Sequence, residues 1–234
     1  MKVWVQELAG WWAVVSESGP VRTPMGTPVV SRHRALSDEV ASDVARWGVD
    51  PTAKTTTFSL QASYLDFGLR VKREVLEENT AAIWPNDLFV QRPAEPALAR
   101  ALFALWGSVD PDRGRFREAL RQATLRQVLA AMTAGQVLRS AVLGLEVVTT
   151  SRDLVPLTRG ACGRHFDALR QATAPGHAAP GRHVPTGMDE AYCEGTCCAA
   201  GAAVGDGFAE RCALFPLLDK LRRWGSFPEE AEKG

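Results

Sequence analysis

The sequence predicts an α+β protein with a small N-terminal β-rich domain followed by a larger α-helical domain. Residues 2–30 combine period-two patterning with turn residues, and from Ser31 onward apolar residues recur at helical intervals instead. The chain is 234 residues long, 46% hydrophobic and 23% charged, which is the composition of a packed globular protein. At about 150 residues per domain this length accommodates one large or two small domains. The change of period places the boundary between a β-rich domain with one helix, residues 1–52, and a helical domain, residues 53–234.

Val3 and Val5 alternate with Trp4 and Gln6, and a second apolar run covers Trp11 to Val15. Ser18-Gly19-Pro20 and Pro24-Met25-Gly26 supply the turns between short strands. Leu36, Val40, Val44 and Trp47 are spaced by four, four and three, so they share one helical face, with Asp38, Glu39 and Asp43 pointing away. Asp50-Pro51 is expected to end that helix. Phe58 to Glu78 has no proline and carries Leu60, Tyr64, Leu65, Leu69, Val75 and Leu76, which reads as one long helix.

Trp84-Pro85-Asn86-Asp87 is a turn, because proline fixes its own φ and disfavours helix in the residue before it. Leu88-Phe89-Val90 forms an apolar bridge beyond it, and a helix is expected from Pro96 to Gly107. Two more are expected over Phe116–Met132 and Gln136–Val148, the second apolar on nearly every side and therefore buried. Asp153 to Ala172 has helical character interrupted by Pro156, Gly160 and Gly163. Six of the fourteen residues from Ala174 to Gly187 are Pro or Gly, a loop composition. A last helix, Ala213 to Trp224, carries Leu214, Leu217, Leu218 and Leu221.

Lys plus Arg and Asp plus Glu both total 27, so the net charge is zero. A duplex nucleic-acid binder needs a basic face to displace counterions, so nucleic acid is not an expected partner. The first fifteen residues lack a signal-peptide core, and no apolar stretch approaches the roughly 20 residues that span a bilayer. A cytoplasmic protein without membrane insertion is expected. The phosphate loop G-x-x-x-x-G-K-[ST], the zinc helix H-E-x-x-H and the nucleophile elbow G-x-S-x-G are missing. Asp38 with Glu39, and Glu77 with Glu78, are neighbours on helices and do not face each other across a substrate. His33, His177 and His183 have no nucleophile placed beside them by spacing.

All five cysteines, Cys162, Cys193, Cys197, Cys198 and Cys212, fall in the C-terminal third, an odd number that does not form a disulfide framework. Cys162-x2-His165 puts two ligand-type side chains one helical turn apart, and Cys193-x3-Cys197 fits a zinc half-site. Cys162, His165, Cys193 and Cys197 are therefore a candidate tetrahedral zinc site, with Cys198 and Cys212 as alternatives. The bland alternative is that these thiols are small buried hydrophobes.

The run Gly19-Pro20-Val21-Arg22-Thr23-Pro24-Met25-Gly26-Thr27-Pro28 resembles the glycine-rich turn of the assembly chaperones for the α subunit of F-type ATP synthase. Asp50-Pro51, Leu60 and Asp66 match the stretch that follows it in that family. Asn86-Asp87-Leu88-Phe89-Val90-Gln91-Arg92-Pro93 resembles a later motif, with Asp87, Leu88 and Arg92 in register. Leu218-Asp219-Lys220 through Trp224-Gly225 resembles the closing helix. The likeness covers about two thirds of the chain, and its order and spacing carry it. Lys220 stands where the family has Glu, Val90-Gln91 replace Cys-Tyr, and the Pro/Gly loop and cysteines at about 153–212 read as an insertion.

The resemblance implies the same α+β architecture and a binding, non-catalytic role. The expected partner is the free α subunit of ATP synthase, whose apolar interface the chaperone covers until the next subunit takes its place. It also implies Asp87, Arg92, Asp219 and Trp224 as contact residues. The competing reading is a metal-binding or thiol-redox protein that uses the C-terminal cysteines, with zinc as its cofactor.

Overall fold

A computed structural model describes residues 2–50, 55–91, 112–149 and 214–229. As expected, a small antiparallel sheet precedes a set of packed helices. Strand β1 (Val3–Leu8) pairs with β2 (Trp11–Ser16) in the register Val3↔Ser16 to Leu8↔Trp11. The connection is Ala9-Gly10, with φ of 51° and 80°. Two positive φ values give the turn a twist that matches the strands. Strands β3 (Gly19–Pro20) and β4 (Val30–Ser31) both pair with β2, and Val29 N–H donates to Val21 O at 2.9 Å between them.

Helix α1 (Arg34–Trp47) lies against β1 and β2 and buries Leu36, Val40 and Val44 at 0–1% exposure. Ser37 Oγ pins it to the sheet by donating to Trp12 O at 2.9 Å. Two expectations for α1 are corrected. Trp47, placed by spacing on the inner face, is exposed and stacks with Arg46, whose Cζ lies 4.6 Å from the ring centre. The helix also stops earlier than Asp50-Pro51. Gly48, at φ 82°, reaches a conformation that side chains resist and returns its N–H to Val44 O.

The single helix expected over Phe58–Glu78 is broken in two. Helix α2 (Thr57–Ser63) starts at a reciprocal cap in which Thr56 Oγ1 accepts from Ser59 N–H and Ser59 Oγ accepts from Thr56 N–H. It widens into a π-turn at Tyr64–Gly68, and a separate helix α3 (Arg73–Ala81) follows. At Gly68 the chain passes close to the helix that carries Leu129. A Cβ there would sit 2.8 Å from Leu129 Cδ1, so only glycine fits without displacement. Trp84–Asn86 form a 3₁₀ turn as the proline predicts, and Leu88–Gln91 make one short helix, α4.

Helix α5 (Arg113–Gln122) is capped by Asp112, and α6 (Leu125–Val137) by Thr124 with Gln127 in a capping box. These caps split the helix expected over Phe116–Met132. The apolar segment begins its helix, α7 (Ala141–Thr149), later than Gln136 and buries every residue from Ala141 to Val148. It crosses α6 so closely that a Cβ on Gly144 would lie 2.5 Å from Ala134 Cβ. The last described helix, α8 (Leu214–Ser226), buries Leu218, Leu221 and Trp224 against α6 and α7. One apolar core runs from Val14 and Val21 in the sheet region through α1, α2 and α6 to Trp224. At about 1.5–3 kcal/mol for each fully buried large aliphatic or aromatic side chain, this core is the main stabilising term.

Candidate partner-binding surface

Between β3 and β4 the chain turns back through Thr23–Thr27. Thr23 N–H donates to Thr27 O and Gly26 N–H to Thr23 O, both at 2.9 Å, and Gly26 takes a φ of 80°. Asp66, in the π-turn, holds this turn from beneath. Its carboxylate accepts Thr23 Oγ1 at 2.7 Å, Thr27 Oγ1 at 3.1 Å and the Met25 N–H at 3.2 Å. Thr23 Oγ1 in turn accepts the Thr27 N–H at 3.0 Å, and Arg70 Nη2 donates to Thr27 Oγ1 at 2.7 Å. A carboxylate 4% exposed is costly to bury unless its lone pairs are used, and these donors use them. The result is a turn locked to a helix about forty residues away in sequence.

What the clasp presents is apolar. Met25 is 55% exposed, Phe67 54% and Leu69 44%, the first bonded through its backbone N–H to Asp66 and the others one and three residues after Asp66 in the chain. Two arginines border them. Arg22 Nη1 donates to Gly26 O at 2.7 Å, so Arg22 and Arg70 both bond to the Gly26-Thr27 end of the turn while remaining exposed. Apolar side chains held on a rigid rim with charged neighbours are the anatomy of a protein contact surface. The turn and Asp66 both fall within stretches singled out by sequence, but their union is a tertiary contact that no spacing rule announces.

Of the contact residues expected from sequence, Asp87, Asp219 and Trp224 are described. Asp87 is 0% exposed and accepts Ser140 Oγ at 2.8 Å and Val142 N–H at 3.0 Å, tying the 3₁₀ turn to the start of α7. Trp224 is also 0% exposed, with its ring set edge-on to Tyr64 at 6.3 Å. Both side chains are interior supports and offer no surface to a partner. Asp219 is partly exposed and ion-paired to Arg222 at 3.1 Å and Arg223 at 3.0 Å. Lys220, the reversed charge, meets Asp43 at 3.5 Å, and Arg223 meets Glu39 at 3.3 Å. Glu39 and Asp43 of α1, expected in solvent, thus face α8. Arg92 lies outside the described residues.

Arg126, a fully buried residue of α6, is a structural centre that sequence reasoning does not single out. Its Nη1 donates to Gln61 Oε1 at 2.7 Å, and its guanidinium lies 4.0 Å from the Tyr64 ring centre and 5.3 Å from that of Trp224. Arginine stacks on aromatic faces in this way because its planar cation is weakly hydrated. The node joins α2, α6 and α8 beneath the π-turn.

A groove of about 170 Å³ lies between α3 and α5, lined by Glu74, Glu77, Glu78, Arg117, Leu120 and Arg121. Two of its carboxylates are ion-paired, Glu77 with Arg73 at 2.6 Å and Glu78 with Arg117 at 3.7 Å. Nearby Glu118 has its carboxyl held below the ordinary range by hydrogen bonds from Arg121 and then Gln122. Among the described residues no three His, Cys, Asp or Glu side chains converge as metal ligands. The candidate zinc ligands Cys162, His165, Cys193 and Cys197, with Cys198 and Cys212, all lie outside the described residues. No described helix is long and apolar enough to cross a membrane.

No family model matches the sequence, and no curated protein matches it either. Solved structures do. Atu1473 from Agrobacterium tumefaciens, a candidate chaperone, superposes with a TM-score of 0.58 at 18% identity, covering 95% of this chain and 83% of that one. A point mutant of P. denitrificans Atp12p superposes with a TM-score of 0.51 at 17% identity, covering 96% of each chain. The chain is thus similar in fold to both Atu1473 and Atp12p.

Proposed function

We propose that this protein is an assembly chaperone that binds the free α subunit of an F-type ATP synthase and shields its apolar interface until the next subunit binds. The observation that carries this reading is the fold likeness to Atp12p across 96% of each chain. The ordered sequence resemblances, from the Gly19–Pro28 turn to the Leu218–Gly225 helix, support it independently of that superposition. A locked turn with exposed Met25 and Phe67 adds a surface suited to binding.

The physical logic is that of an orphan subunit. A standard interface buries about 1,600 Å² in total, and a subunit showing its half of such a patch aggregates unless something covers it. Release then follows from competition, because the next subunit buries the same surface more extensively. In this reading the protein makes and breaks no covalent bonds, and it acts in the cytoplasm, where subunits meet before assembly.

The test is to mix the purified chain with isolated α subunit and follow complex formation by size exclusion with light scattering, and α-subunit aggregation by turbidity. A stable complex that suppresses turbidity, and that dissociates when β subunit is added, is expected. Absence of any complex at micromolar concentrations overturns the reading.

A further inference from the structure

We infer that the rim built on Asp66, formed by Met25, Phe67 and Leu69 with Arg22 and Arg70, is the partner contact, and that its occupant is a protein segment presenting apolar side chains flanked by carboxylates. This rests on the reading of the protein as a chaperone for the α subunit, and it says which side of the molecule does the holding and what chemistry is held.

Charge is the first argument. The carboxylate at the centre of the rim, Asp66, is 4% exposed and occupied by the hydroxyls of Thr23 and Thr27 and the amide of Met25. The exposed groups at its border, Arg22 and Arg70, carry positive charge outward, and Lys72 follows on the same segment. A partner therefore meets apolar side chains framed by cations, and acidic groups beside its own apolar residues complement it. Both arginines keep donors to spare, since each spends one hydrogen bond on the turn and guanidinium has five N–H groups.

Rigidity is the second argument. The cost of ordering a loop on binding falls when the loop is already fixed. Here two threonine hydroxyls, a backbone amide and two arginine bonds fix a turn that displays a flexible, adaptable methionine. That investment in order stabilises the display of a surface side chain, Met25, which remains 55% exposed within its own molecule.

Hydroxyl-radical footprinting of the wild-type complex with α subunit reads the contact directly. Oxidation of Met25 and Phe67 is expected to slow at least fivefold on binding, while Trp4, exposed on β1, is unchanged. Two variants provide a second reading: R22E with R70E, and M25S with F67S, each checked for wild-type melting. Each is expected to weaken α-subunit binding at least tenfold, and R22E with R70E should also abolish the steep loss of affinity that the wild type shows as salt rises from about 50 to about 500 mM. If the wild type binds but Met25 stays unprotected, or if folded variants bind as the wild type does, the assignment of this rim is overturned and the chaperone reading stands. If the wild type does not bind α subunit, both fall. Capture by vesicles containing anionic lipid through these same side chains, in place of α subunit, also overturns the proposal.

Discussion

Asp66 and Asp87 are buried alike, at 4% and 0% exposure, and each accepts a hydroxyl and a backbone amide from a distant segment. What they hold differs. Asp87 grips Ser140 and Val142, which are 1% and 2% exposed, so its partners have no route to water. Asp66 grips a turn whose apex, Met25, is in solvent. The same carboxylate chemistry serves as a core rivet in one place and as a bracket for a surface display in the other. Burial of the acid alone therefore does not tell the two apart, and the exposure of the tethered segment does.

The largest effect is expected at Asp87. Asp87→Ala strips Ser140 Oγ and Val142 N–H of their acceptor inside the core and is expected to lower global stability by about 3 kcal/mol, measured as a fall in urea midpoint at unchanged slope. Asp66→Ala is expected to cost less, about 1–2 kcal/mol, because the released turn can bond to water instead. Its signature is local: amide exchange at Met25 and Thr27 should accelerate far more than exchange in α6. If Asp66→Ala destabilises as much as Asp87→Ala, or leaves exchange in the turn untouched, the distinction between rivet and bracket collapses. The smallest effect is a gain. Arg139, next to Ser140, sits at a φ of 54° just past the end of α6, where glycine is favoured. Arg139→Gly is expected to add about 0.5 kcal/mol to thermal stability, as the relief of backbone strain outweighs the added freedom of the unfolded chain.

Much of the fold is legible in local pattern. The strand alternation, the Leu36–Val40–Val44 face and the all-apolar α7 follow from period and burial, which neighbouring residues determine. The breaks at 68–72 and at Ala123–Thr124 escape that pattern for different reasons. Thr124-Leu125-Arg126-Gln127 is a capping box written in the sequence, masked there by the apolar period of the residues around it. The π-turn has no such mark. Within it Gly68 passes near Leu129, about sixty residues away, a contact that local pattern does not reveal.

The site is less legible than the fold. Resemblance points to stretches of chain and does not say which residues in them face outward, so it implies Asp87 and Trp224 as contacts although both lie in the core. A buried arginine such as Arg126 is equally hard to foresee, because its acceptor Gln61 and its stacking partners Tyr64 and Trp224 come from α2, the π-turn and α8.

Trp224 has one more consequence, and it concerns birth on the ribosome. Gln61, Tyr64 and Arg126 are synthesised long before the indole that closes over them, and Trp224 Nε1 also donates to Gln61 Oε1 at 3.4 Å. A nascent chain that has not yet released residues 214–226 lacks the indole that flanks this guanidinium. The N-terminal sheet and α1 are synthesised early, whereas the contacts of Trp224 with Gln61, Tyr64 and Arg126 await the last described helix. A protein proposed to shelter unfinished neighbours thus passes through an unfinished stage of its own.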